Sequence, residues 1–91
     1  MSVQWNPDEA RFEMEADGKL AIADCIVRPS EWVVTHVEVP TALRGRGVAS
    51  TLAAGIVDYA RTHQGKITPL CAFMVAYFKR HPEAHDVLKS P

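Results

Sequence analysis

The middle of the chain reads WVVTHVEV at residues 32–39, PTALRGRG at residues 40–47 and VASTLAAGIVDYA at residues 48–60. The first segment is rich in β-branched residues and predicts a strand, which ends at Pro40 because proline cannot donate a ladder hydrogen bond. The last segment has apolar residues three and four apart, which predicts an amphipathic helix. A glycine-rich turn between a strand and a helix is therefore the central feature. The apolar side of the helix contains Val48, Leu52, Ile56, Tyr59, Ala60 and His63.

Alternation along the strand sorts its side chains onto two faces. We expect one face to carry Trp32, Val34, His36 and Glu38, and the other to carry Val33, Thr35, Val37 and Val39. His36 and Glu38 would then lie one period apart, where they could relay a proton or form an ordinary pair of surface polar groups.

The segment before this strand predicts an antiparallel hairpin. Residues 11–15 alternate polar and apolar side chains, Gly18 allows a tight turn, and residues 19–27 form the returning strand. Trp5 could add a short edge strand ahead of the hairpin.

The segment after the long helix predicts one more strand and one more helix. Residues 66–70 form the strand, residues 72–80 form the helix, and Gly65 is expected to be the C-cap of the long helix. A helix that joins two strands favours their running parallel. The sequence thus predicts an α+β fold of order β-β-β-α-β-α, with a mostly antiparallel sheet and one parallel crossover. We expect a single domain over residues 1–91, with its core at about 10–88.

The composition limits the possible functions. The chain has 91 residues, of which 47% are hydrophobic and 23% charged, as in a small globular domain. A formal net charge of −1 gives no field that would gather nucleic acid or an anionic membrane. No apolar run approaches the roughly 20 residues that cross a bilayer, and the N-terminus lacks a signal pattern. Cys25 and Cys71 are too far apart for a zinc or redox motif, and His81 and His85 lack a third ligand nearby, so we expect a cytoplasmic protein without a metal.

The turn RGRGVAS at residues 44–50 has the features of a phosphate site. The first N–H groups of a helix have no intrahelical partner, and the helix dipole adds positive charge there. Gly45 and Gly47 permit a close approach, and Arg44 and Arg46 add charge. A Walker loop is excluded because the Gly-Lys-Ser/Thr ending is missing, and a dinucleotide fingerprint would need a third glycine. The alternative is a glycine-rich loop with two solvated arginines.

The pattern Arg44-x-x-Gly47-x-Ala49 resembles the R/Q-x-x-G-x-G/A signature of the GCN5-related N-acetyltransferases, the GNAT family. The likeness includes the preceding strand, TPLC at residues 68–71 and YFKRHP at residues 77–82. The likeness covers about residues 10–88, and over this range the chain is similar to the minimal, single-domain members of that family. The chain lacks the two helices that in other members follow the first strand and form the wall of the acceptor site.

The resemblance implies that acetyl-coenzyme A is the co-substrate. In GNAT proteins the main-chain amides of the turn bind the pyrophosphate, and the strand before it offers amides to the pantetheine arm and the acetyl carbonyl. The coenzyme-binding residues implied are Val37, Val39, Arg44, Gly45, Arg46, Gly47, Val48, Ala49 and Ser50.

Acetyl transfer to an amine needs a stabilised oxyanion, a neutral amine and a proton for the departing thiolate. Cys71 opens the second predicted helix, whose dipole favours a thiolate, so it could carry the acetyl group between donor and acceptor or simply pack inertly. Tyr77 lies near the position at which, by resemblance, a tyrosine protonates the thiolate, although ungapped counting places Phe78 there. Packing on the sheet is the alternative role for Tyr77. His36 and Glu38 are the candidate proton relay.

Three functions fit these features. The first is an acetyl-coenzyme A-dependent N-acetyltransferase acting on a primary amine of a small molecule or a protein. The second is a non-catalytic module that binds coenzyme A or acyl-coenzyme A. The third, a small protein-interaction domain, would leave the turn at residues 44–50 without a role. We expect a monomer or a weak homodimer.

Overall fold

A computed structural model describes residues 2–89. The strands in this range are β1 (Val3–Asn6), β2 (Arg11–Ala16), β3 (Lys19–Arg28), β4 (Glu31–Glu38) and β5 (Lys66–Pro69). The helices are α1 (Val48–Thr62) and α2 (Ala72–Arg80), and short 3-10 segments occupy Thr41–Leu43 and Pro82–Val87. Neither of these helices is long and apolar enough to span a membrane.

The described strands form one five-stranded sheet in chain order. Neighbours from β1 to β4 are antiparallel, whereas β4 and β5 are parallel because α1 carries the chain back across the sheet between them. The predicted α+β fold with one parallel crossover is confirmed. The edge strand suggested by Trp5 is β1, in which Trp5 lies opposite Phe12 with the ring centroids 4.9 Å apart.

The β2–β3 hairpin depends on two residues with positive φ. Asp17 has φ +51° and Gly18 has φ +73°. A turn of this kind matches the twist of the strands that it joins, and it sets Met14 opposite Ala21.

One face of the sheet is covered by both helices. Helix α1 packs across β1, β2, β3 and β5, and α2 packs against β4, β5 and α1. The largest fully buried side chains of this core are Phe12, Met14, Val34, Leu43, Leu52, Ile56, Ile67 and Met74. The other face, which we call the open face, carries the residues that alternate with the core. It includes Glu13, Glu15, Leu20, Ile22, Asp24, Ile26, Val33, His36 and Glu38.

A β-bulge at Thr35 overturns the prediction for the faces of β4. The pairing with β3 shifts by one residue at this point, so Thr35 is an extra residue that interrupts the alternation. Trp32 and Val34 therefore face the helices, whereas His36 and Glu38 lie on the open face. Strict period-two counting placed all four together, which was wrong because one inserted residue moves every later side chain to the opposite face.

Gly65 has a different role from the predicted C-cap. The left-handed position after α1 is occupied by Gln64, with φ +56°. Gly65 instead lies against Trp32, and a Cβ on it would stand 2.3 Å from Cζ3 of that ring. The position needs glycine because the indole approaches the main chain closely.

Gly65→Ala should lower the free energy of unfolding by about 1–3 kcal/mol, because the added methyl overpacks the indole. Denaturant unfolding measures this loss. Trp32→Phe removes the outer indole atoms. In a Trp32→Phe protein, the loss of unfolding free energy caused by Gly65→Ala should therefore be smaller by at least about 1 kcal/mol. An equal cost in both backgrounds would contradict the steric explanation.

Candidate functional site

The turn before α1 leaves main-chain donors of the helix unpaired. Gly45 has φ +78° and Gly47 has φ +73°, and a Cβ on either would meet nothing within 4 Å. The Gly47 carbonyl accepts the first helical hydrogen bond, 3.0 Å from the Thr51 nitrogen. Within residues 2–89, the N–H groups between these two residues have no main-chain partner, no side chain caps them, and no acidic residue lies in the first turn. The helix therefore begins with donors available to an anion.

A recess of about 150 Å³ lies at these donors. Its lining consists of Val39, Leu43, Arg44, Gly45, Gly47, Val48, Ala49 and Ser50. Seven of the nine predicted coenzyme-binding residues thus surround one recess, and the other two, Val37 and Arg46, lie outside its lining.

The two arginines of the turn are held differently. Arg44 donates from Nε to the Val39 carbonyl at 3.3 Å and lines the recess. Arg46 turns to the β2–β3 hairpin, where its guanidinium lies 2.6 Å from a carboxylate oxygen of Asp17. Both members of this pair are more than half exposed. Sequence reasoning expected two guanidinium groups at the recess, and the structure places one there.

A gap opens between β4 and β5 next to the recess. The parallel pairing ends with Val34 opposite Pro69, and the Val34 carbonyl accepts hydrogen bonds from the main-chain nitrogens of Leu70 and Cys71 at 3.0 and 3.3 Å. Beyond this point, no strand in the described chain pairs with the outer edge of residues 35–38. We call the space beside that edge the β4–β5 gap. It begins at the bulge of β4.

Cys71 stands at the inner end of the β4–β5 gap. It is the N-cap of α2, with extended backbone (φ −78°, ψ 148°), and its half-buried side chain packs against the core. Its carbonyl accepts the first α2 bond, from Val75 at 3.1 Å. Cys25, the other cysteine, is buried, and this burial, aided by Asp24 and Cys71, raises the pKa of its thiol to about 12. Cys25 therefore remains a protonated core residue, and Cys71 is the thiol at the gap.

Tyr77 has a buried ring. The residue is 6% exposed, and its ring lies 6.5 Å from Phe73, 6.0 Å from Phe78 and 4.1 Å from His81 between centroids. Its hydroxyl makes no hydrogen bond within residues 2–89, and no buried side-chain nitrogen or oxygen there lacks a partner, so the hydroxyl oxygen reaches the surface. Burial, with smaller contributions from Glu83 and Asp58, raises the pKa of Tyr77. Phe78 is also buried, at 3% exposure.

His36 and Glu38 meet on the open face, with Nε2 and Oε1 3.9 Å apart and both side chains about 60% exposed. Cys71 and Tyr77 belong to the helical side of the sheet. The structure therefore brings His36 and Glu38 together on one face and places the other two predicted catalytic residues on the opposite face.

Sequence reasoning missed several features of this region. The partner of Arg46 is Asp17, and no local pattern connects the two because they lie in separate turns. The predicted strand extended to Leu70, but β5 ends at Pro69 and Leu70 is 62% exposed beside Cys71. The pair of bonds to the Val34 carbonyl explains this exposure, since β5 ends there and Leu70 lies beyond the last paired residue.

His81 and His85, which lie four residues apart in the sequence, have separate contacts. His81 lies beside Glu83, with Nδ1 and Oε2 2.8 Å apart, and His85 lies 2.6 Å from the Phe78 carbonyl. Among the described residues, no group of three or more histidine, cysteine or carboxylate side chains is placed to hold a metal ion.

Comparison with known proteins gives a consistent answer. The family described as GCN5-related N-acetyl-transferase matches residues 11–87. The solution structure of a GCN5-like protein from Staphylococcus aureus, described as a candidate N-acetyltransferase, superposes with a TM-score of 0.73 at 25% sequence identity. The match covers 99% of this chain and 89% of that one. No curated protein matches the sequence significantly.

Proposed function

The chain belongs to the GCN5-related N-acetyltransferase family, and from this premise we propose that it transfers the acetyl group of acetyl-coenzyme A to a primary amine. The acceptor amine belongs to a small molecule or a protein. The observation that carries the proposal is the recess of about 150 Å³ over the unpaired N–H groups of α1.

The turn fits a diphosphate in three respects. Its main-chain donors are free within the described chain, and no carboxylate in the first turn competes for them. The space above Gly45 and Gly47 is open, and the left-handed backbone at both positions disfavours any side chain. Arg44 lines the same recess and supplies a charge for phosphate oxygens.

The edge of β4 fits an extended arm that contains amide groups. Residues 35–38 pair with β3 on one side only, so the opposite edge can hydrogen-bond an added strand-like ligand. The bulge at Thr35 redirects the main chain where the β4–β5 gap begins. When bound, acetyl-coenzyme A would supply an activated thioester and a thiolate leaving group.

The residues around the gap then have distinct proposed roles. Cys71, at the start of α2, would form a bond from Sγ to the acetyl carbon while the bond from that carbon to the coenzyme sulfur breaks, and its thiol proton would pass to solvent. Tyr77 would donate its phenolic proton to the departing coenzyme thiolate and recover a proton from solvent through its surface hydroxyl. When the amine then attacks, the bond from the acetyl carbon to Sγ would break and Cys71 would leave as the thiolate. His36 and Glu38, on the open face, would take the proton released by the attacking amine.

One observation favours a second candidate, a module that binds coenzyme A without transfer. Leu20 is 40% exposed and Ile26 52% exposed on the open face, so within residues 2–89 no wall covers that side of the sheet. Binding of acetyl-coenzyme A without thiol release, across a panel of amines, would support the binding module.

The test is an amide NMR titration with acetyl-coenzyme A, followed by an assay of thiol release. We expect shifts at residues 35–50 and saturable binding. Acetyl-pantetheine, which lacks the diphosphate, is the control and should shift residues 35–38 while leaving the turn at 44–50 unchanged. No response at millimolar coenzyme would exclude both the enzyme and the binding module.

Asp17→Asn should tighten coenzyme binding about two- to threefold, because it releases Arg46 from its ion pair to interact with the phosphates. Calorimetric titration at low salt measures the change, which should shrink as salt is added. Asp8→Asn, a carboxylate change in another turn, is the control and should leave the affinity unaltered. Weaker binding by Asp17→Asn would show that Asp17 holds Arg46 in its binding position.

A further inference from the structure

The ring of Tyr77 is stacked by a histidine that the proposed mechanism does not use. The rings of His81 and Tyr77 lie 4.1 Å apart between centroids, with 25° between their planes. On its other sides Tyr77 meets Phe73 and Phe78 at larger distances, so the imidazole is the nearest aromatic neighbour. Its side chain is 35% exposed, so part of the imidazole meets solvent while the ring stacks on Tyr77.

The main chain holds His81 in this place. Pro82 disfavours helical backbone at the residue before it, and His81 leaves α2 with φ −129° and ψ 72°. Its N–H donates to the Phe78 carbonyl at 3.3 Å, and its own carbonyl accepts from Ala84 at 2.9 Å. The imidazole therefore stands at a fixed point beyond the end of α2.

The side chain of His81 is also anchored. Its Nδ1 lies 2.8 Å from Oε2 of Glu83. The main-chain N–H of Glu83, and after it the His81 side chain, hold the pKa of the Glu83 carboxyl below its usual value. The Glu83 carbonyl accepts from Arg61 of α1 at 3.4 Å, and Arg61 also binds both carboxylate oxygens of Asp86 at 2.8 Å. A continuous set of contacts thus runs from α1 through Glu83 and His81 to the ring of Tyr77.

We propose that His81, anchored by Glu83, is a positioning residue that holds the phenol of Tyr77 in place for proton donation. This inference rests on the proposed function, because it gives His81 a purpose through the role of Tyr77. His81 itself need not touch the substrate.

The charged groups around Tyr77 predict how its titration responds. Burial is the largest cause of the raised pKa of Tyr77, and Glu83 from the 3-10 segment and Asp58 from α1 also disfavour the phenolate. His81 stacks on the ring from the end of α2. Glu83→Gln removes one negative charge, and His81→Ala opens the ring to water. Both substitutions should lower the titration midpoint of Tyr77.

The experiment uses Tyr59→Phe as the parent, because the chain has two tyrosines and Tyr77 is then the only one left. Tyrosinate absorbance gives the midpoint, and thiol release gives the pH profile of turnover. His81→Ala should lower the maximal rate about tenfold with unchanged coenzyme affinity. Its midpoint and the alkaline limb of its turnover profile should move together to lower pH.

His81→Phe is the conservative rescue, because it keeps the stacked ring but loses the bond to Glu83. It should retain turnover within about threefold of the parent. His63→Ala, in the protein with both tyrosines, is a matched control. His63 follows α1 and stacks on Tyr59, with the ring centroids 3.9 Å apart and 20° between the planes, much as His81 follows α2 and stacks on Tyr77. This control should leave turnover unaltered.

Two results would overturn the inference: a His81→Ala protein with the parent's midpoint and turnover, or a His81→Phe protein as impaired as His81→Ala. If His81→Ala does not fold, His81→Gln serves instead, because it removes the stacked ring while keeping a polar group beside Glu83. Parental turnover in that variant would then overturn the inference. Failure of the proposed function is distinguishable, since the parent protein itself would then release no thiol, whereas full turnover in Tyr77→Phe would show only that Tyr77 is not the acid.

Discussion

Ser50→Asp is expected to weaken acetyl-coenzyme A binding about 100-fold while making the free protein more stable. Ser50 is exposed in the first turn of α1 and lines the recess at the unpaired donors. A carboxylate there interacts favourably with the helix dipole, by about 0.3–1 kcal/mol. The same charge occupies the donors and repels a diphosphate. Calorimetric titration and thermal unfolding measure the two effects.

Ser50→Asn is the matched control for this change. It has nearly the size of aspartate without the charge, so its binding should weaken far less than that of Ser50→Asp. Parental affinity in Ser50→Asp would place the diphosphate elsewhere, and the function proposed above would lose its main support. A stability gain without a binding loss would have the same meaning, because it would show that the helix end is not the ligand site.

The opposite signs of these two effects have a physical origin. The first turn of α1 contains no acidic residue, and its N-cap, Gly47, has no side chain that could accept a hydrogen bond. A capping side chain at this position would satisfy donors that an anion needs, and the left-handed backbone of Gly47 disfavours any such side chain. The chain thus gives up local stability at the point where the proposed ligand binds.

The sequence was sufficient for features that depend on neighbouring residues. The glycines at 45 and 47 indicated a turn open to a close approach, and both residues have positive φ with open space where a Cβ would stand. The change from a two-residue to a helical period fixed the start of α1 at Val48. From β2 to α2 the order of the elements is the predicted one, and it includes the parallel crossover between β4 and β5.

Features that depend on distant residues could not be read in the same way. The bulge at Thr35 appears only when β4 is paired with β3, because it is a mismatch between two strands rather than a property of one. The β4–β5 gap likewise follows from where their pairing ends. The ion pair of Arg46 with Asp17 joins two turns that are far apart in the chain.

Tyr77 and Phe78 illustrate a further limit. Both are buried on α2, so neither periodicity nor burial shows which of them occupies the position of the proposed acid. The distinction rests on the hydroxyl of Tyr77, which reaches the surface while its ring stays in the core. The role proposed for Tyr77 therefore depends on one oxygen atom and on the neighbours that orient it.

The second large effect is expected for Cys71→Ala, which should reduce turnover about 1000-fold while leaving coenzyme affinity within about twofold. The thiol stands at the inner end of the β4–β5 gap, away from the recess at α1, so its loss should not disturb diphosphate binding. Thiol release under saturating coenzyme measures turnover, and calorimetry measures affinity. Cys25→Ala is the matched control, because it removes the buried thiol, whose pKa of about 12 keeps it protonated.

A mass measurement separates the relay from direct transfer. Without an amine, the parent protein should gain one acetyl group on Cys71 when mixed with acetyl-coenzyme A, and Cys71→Ala should gain none. The acetyl group should leave when the amine is added, because the thioester on Sγ is the proposed donor to the acceptor. If Cys71→Ala turns over at the parental rate, the amine attacks the coenzyme thioester directly, and the thiol at the gap only packs against the core. The open edge of β4 and the donors of α1 would then supply the catalysis by orientation, with Tyr77 as the remaining acid.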